Sequence, residues 1–97
     1  MTEPLLLRDV VGALDELDED AVIYTDGSSP AAQAVVLDES GAAAAKAKGL
    51  RYFLEVALAR DAVDVWSAWR DGAAPTIDDK LMAISYYALN DAYLPLD

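Results

Sequence analysis

The sequence predicts an α+β domain: a small antiparallel sheet of about three strands packed against three helices, in the order α-β-β-β-α-α. Three observations predict it. Apolar residues recur at helical spacing near both ends of the chain, and short β-branched and aromatic runs bounded by turn residues fill the middle. The third is length, since 97 residues suffice for one core and not two, so residues 1–97 read as a single domain. The alternative is a mostly helical protein with one hairpin.

From Pro4 to Leu17, the residues Leu7, Val10, Val11, Leu14 and Leu17 fall on one helix face, with Asp9 and Glu16 pointing away. Thr2 is the expected N-cap, Glu3 complements the positive end of the dipole, and Pro4 suits a first turn. Gly12 weakens this helix by about 1 kcal/mol relative to alanine. Asp18-Glu19-Asp20 ends it, and Ala21 to Thr25 has strand composition. The cluster Asp26-Gly27-Ser28-Ser29-Pro30 reverses the chain, and Gln33 to Asp38 returns as the second strand of a hairpin. Glu39 to Gly49, with its alanine run, reads as a loop or one exposed helical turn, a mobile connection.

Leu50 to Ala59 fits two patterns. Arg51 to Val56 has strand composition, whereas Leu50, Phe53, Leu54, Ala57 and Leu58 also trace a helical stripe. A strand is favoured, because a lone hairpin is marginal without a third partner. Asp61 is the expected cap of a helix running to Asp71, with Ala62, Val65, Trp66 and Trp69 toward the core and Asp61, Asp64, Ala68 and Asp71 on the other face. Gly72 ends that helix. Thr76 with Asp79 three residues on forms a capping-box signature for the last helix, whose core face is Ile77, Leu81, Ile84 and Ala88. Met82, Tyr86 and Leu89 make a second apolar stripe, either packed on the N-terminal helix or buried against a second copy.

Composition narrows the chemistry. The chain holds 18 Asp and Glu against 7 Lys and Arg, a net charge of −11, and neither histidine nor cysteine. There is thus no side chain that titrates near neutrality unperturbed, no thiolate nucleophile and no soft metal ligand. An acid–base enzyme would run on shifted Asp, Glu, Lys or Tyr. No calcium-loop or phosphate-loop pattern occurs, so no cofactor or metal is expected. Asp18-Glu19-Asp20 reads as a solvated acidic loop, Asp78 and Asp79 as dipole-complementing caps, and Trp66 and Trp69 as core. The negative field repels nucleic-acid backbones and anionic lipids, so neither is an expected partner, and no segment approaches the ~20 apolar residues of a membrane span. Leu5-Leu6-Leu7 lacks the basic flank of a signal peptide, and the expected location is cytoplasmic.

The segments Ala21-Val22-Ile23-Tyr24, Gly49 to Val56, Trp66-Ser67-Ala68-Trp69-Arg70 and Ile84 to Tyr93 resemble those of small acidic bacterial proteins of unassigned function. In size, acidity and layout the chain also resembles immunity proteins that neutralise bacterial toxins. That resemblance implies a non-enzymatic, antitoxin-like inhibitor whose acidic face meets a basic protein. Its contact residues would be Asp61, Asp64, Asp71, Asp78 and Asp79, with Trp66 or Tyr86 as anchors. The rival expectations are a carboxylate enzyme, with or without Mg²⁺, and a subunit that self-associates through Met82, Tyr86 and Leu89, as monomer or homodimer.

Overall fold

A computed structural model describes residues 5–95 of the protein. Four strands, β1 (Leu5–Leu6), β2 (Val22–Thr25), β3 (Gln33–Leu37) and β4 (Arg51–Glu55), form one antiparallel sheet in the order β1-β3-β2-β4. The helices are α1 (Leu7–Gly12), α2 (Ala42–Ala47), α3 (Val56–Ala68) and α4 (Ile77–Asn90). The α+β class is as the sequence predicts, with β1 and α2 added to the expected order.

The β2–β3 hairpin forms where turn chemistry places it, in register from Val22↔Leu37 to Thr25↔Ala34. Thr25, the one buried polar residue among those described, ties the turn: its Oγ1 lies 2.8 Å from the carbonyls of Gly27 and Gln33 and accepts from the Gly27 N–H. Strand alternation sends Ile23 to one face of the sheet and Val22 and Tyr24 to the other. The first face meets Leu7, Val10, Val11 and Leu14, then Val56, Ala59 and Ala62 of α3 and Leu81 and Ile84 of α4. The second meets Val35, Ala45 and Leu50, so β2 is covered on both sides.

The expected helix over Pro4–Leu17 is broken into three pieces. Pro4, Thr2 and Glu3 lie outside the described residues. Leu5 and Leu6 pair with Ala34 and Gln33 of β3, and α1 stops at Gly12 before a 3-10 turn at Leu14–Glu16. The apolar face survives, with Leu7, Val10, Val11 and Leu14 all buried, but the backbone beneath it does not stay helical. Gly12 lowers the local gain from helix, and the Arg60 guanidinium donates to the carbonyls of Leu14, Asp15 and Leu17, holding the chain beyond the break.

The expected mobile connection is also corrected. Residues 39–41 form a 3-10 turn and α2 follows, its Ala45 wholly buried against β2 and Leu50. Alanine suits this place because it favours helix and lets the helix axis approach the sheet. Gly49, at φ +79°, closes α2 in a Schellman arrangement: its N–H reaches the Lys46 carbonyl (2.9 Å), and the Leu50 N–H reaches Ala45 (2.9 Å).

Leu50 to Ala59 is half strand and half helix, since β4 ends at Glu55 and α3 begins at the next residue. Asp61 is therefore no cap; it sits inside α3. The earlier start moves the buried face to Val56, Ala59 and Ala62, so Trp66 falls in the last turn and Trp69 at the C-cap, beyond the deepest packing. Trp66 is half-buried and Trp69 is 46% exposed, which overturns their expected core role. The Thr76 capping box is present in full: Asp79 N–H donates to Thr76 Oγ1 (3.1 Å) and Thr76 N–H to Asp79 Oδ2 (3.0 Å). Leu81 and Ile84 are buried as expected, Ala88 is half-buried, Ile77 is exposed, and Ala83 is buried in addition.

Candidate functional site

Two places on this fold combine exposure with uncommitted chemistry. The first is the outer row of α3, where Asp61, Asp64 and Ala68 face solvent as the helical spacing dictates. Asp71 follows in a left-handed turn at φ 58°, where the Gly72 N–H bonds the Ser67 carbonyl at 2.8 Å. Asp78 is exposed in the first turn of α4, whereas Asp79 is half-buried and spends its carboxylate on the cap.

These acids do not converge on one point. Asp64 shares a hollow of about 200 Å³ with Asp15, Arg60, Ser67, Pro75 and Lys80, which brings the end of α3 beside the start of α4. Asp61 instead acts on Tyr87. That phenol is held above the ordinary tyrosine value by burial first, then by Tyr93, Asp91 and Asp61. Asp15 is the member of this face that sequence reasoning missed, because a continuous helix would have aimed it elsewhere.

The aromatic residues are partly spent on one another. The Arg70 guanidinium stacks 4.6 Å from the Trp66 ring and donates to the carbonyls of Trp66 and Pro95, both at 3.1 Å. Tyr93 meets Trp69 edge-on at 6.1 Å and Tyr87 at 5.2 Å. Tyr86 is half-buried, and its carbonyl accepts from the Asn90 side chain at 3.0 Å. Met82 and Leu89 are 61% and 77% exposed, so the second stripe of α4 is not packed within the monomer.

The second place is a cleft of about 360 Å³ between β4 and the C-terminal half of α4. It is lined by Arg51, Tyr52 and Phe53 of the strand, by Ala88 and Leu89 of the helix, and by Thr25, Gly27 and Ser28 of the hairpin turn. Only Leu89 among these is a candidate contact residue in the sequence. β4 is an edge strand, and the register against β2 slips between Ile23 and Tyr24, leaving Phe53 as an extra residue. This bulge turns Phe53 and Leu54 both toward the helical core. It also sets Tyr52 and Glu55 on the opposite face, where the phenol donates to Glu55 Oε2 at 3.5 Å. Partial burial and the Glu55 carboxylate hold the Tyr52 phenol above its ordinary value.

No carboxylate is among the residues lining the cleft. Among the described residues no group of three or more acids is arranged to hold a metal ion. Asp18 instead closes a local turn, its Oδ1 accepting from the Asp20 N–H at 3.0 Å. No helix of the described residues is long and apolar enough to cross a membrane. Comparison with protein-family models, with curated proteins and with solved structures finds no match.

Proposed function

We propose that this protein is a non-enzymatic protein-binding module, of the immunity- or antitoxin-like kind, whose acidic face engages a basic partner. One observation carries the reading: the carboxylates of Asp61, Asp64, Asp71 and Asp78 are on exposed residues and make no hydrogen bond or ion pair with any described residue, in a chain of net charge −11. Exposed carboxylates of this kind add little to stability and much to the steering of a cation-rich surface. Trp69, more exposed than Trp66, is the better aromatic anchor.

The test is affinity capture from the source cell with the native protein and with the triple variant Asp61→Asn, Asp64→Asn, Asp78→Asn. The expected result is a basic protein whose association falls about tenfold between low and moderate salt, and several-fold again with the variant. Recovery of no basic protein, or an affinity indifferent to both salt and variant, refutes the reading.

The uncovered Met82–Leu89 row favours a second reading, self-association. Because Leu89 is exposed, Leu89→Asp leaves the fold intact and dissociates any such dimer. Light scattering that shows a native monomer refutes it.

A further inference from the structure

We infer that the cleft between β4 and α4 binds a single carboxylate carried on a short apolar chain, with Arg51 holding the anion and Phe53, Ala88 and Leu89 packing on the chain. The cation comes first. Arg60 and Arg70 spend their guanidinium groups on backbone carbonyls, whereas the Arg51 guanidinium makes no hydrogen bond or ion pair with any described residue. An unpaired planar fork of donors at the mouth of a cleft fits a carboxylate, which it can grip at both oxygens. Ser28 supplies a further hydroxyl group on the same rim.

The rest of the lining selects what carries the charge. Phe53 is turned toward the helices by the bulge, and Leu89, at 77% exposure, gains most from being covered. The volume, about 360 Å³, lies at the low end of the roughly 300–1,000 Å³ spanned by small-molecule sites, so the occupant is short. The bulge also interrupts the outer edge of β4, which disfavours a long peptide adding as a further strand. The overall charge of −11 opposes polyanions, and one arginine neutralises one charge. An apolar monoanion meets all of these conditions, whether a free aliphatic acid or the last residue of a peptide.

The experiment is a titration followed through backbone amide shifts, with octanoate and N-acetyl-leucine as probes and N-acetyl-leucinamide and inorganic phosphate as comparisons. The expected result is saturable movement of the amides at 25–28, 51–53 and 88–89, with N-acetyl-leucine binding at least tenfold more tightly than its amide. Tighter binding of octanoate assigns the free acid as the source of the ligand, and tighter binding of N-acetyl-leucine assigns a peptide end. Arg51→Gln should remove the preference for acid over amide, while Leu89→Ser should weaken both alike. Both positions are exposed, and unchanged amides at Ile23 and Val35 verify the fold. Equal binding of acid and amide, phosphate moving the same amides as strongly, or retained acid preference in Arg51→Gln each overturns the inference.

Discussion

Arg60→Ala tests whether the N-terminal segment is held in its broken shape from outside. The guanidinium donates to Leu14 O from Nε (3.2 Å) and Nη2 (3.1 Å), to Asp15 O from Nη2 (3.3 Å), and to Leu17 O. A hydrogen bond to a charged group contributes about 1.5–3 kcal/mol net. The set is worth less than three such bonds, because Nη2 has two protons for three carbonyls and the Asp15 carbonyl is exposed enough for water to replace its donor. The expected loss is therefore about 2–3 kcal/mol, a shift in melting temperature of about 8–24 °C for a domain of this size. Arg60→Met keeps much of the apolar stem and should recover little, whereas Arg60→Lys keeps the charge without the fork and should recover about 1 kcal/mol. Urea unfolding followed by tryptophan fluorescence reads the change as a midpoint shift at constant slope. A loss within 0.5 kcal/mol for Arg60→Ala, or an Arg60→Met variant as stable as the native protein, refutes the reasoning.

Four further outcomes are expected. Gly49→Ala meets no atom within 4 Å, so its cost is that of the left-handed backbone alone, about 1 kcal/mol by urea unfolding. Gly12→Ala, whose new methyl meets Ile77 Cδ1 at an ordinary 3.5 Å, should gain about 0.5–1 kcal/mol in the same assay. Thr76→Ala removes half of the capping box and should cost about 1 kcal/mol in a thermal melt, with loss of the acceptor of the Asp79 N–H visible as a shift in that backbone amide resonance. Tyr52 and Tyr87 both bind their protons more firmly when folded, so the stability they contribute is complete below about pH 10 and is lost as pH rises through their raised values. Absorbance titration of phenolate should therefore show a late component, and Tyr87→Phe should flatten the alkaline fall in stability; an unchanged profile refutes this.

The sequence by itself determined what depends on near neighbours along the chain. The hairpin over Ala21–Asp38, the Thr76–Asp79 box, the buried positions of α1 and the solvent face of α3 all follow from turn chemistry, capping and a 3.6-residue period. Tertiary structure decided the features that arise between distant residues. Arg60, more than forty positions away, binds the carbonyls after α1; β3 claims Leu5 and Leu6; and β2 sets where β4 bulges. The same cause explains the sites. The carboxylates of α3 are legible because helix geometry alone exposes them. The β4–α4 cleft is not, because Arg51, Gly27 and Leu89 meet only when the edge strand, the hairpin turn and the last helix are packed together, and no local pattern records that meeting.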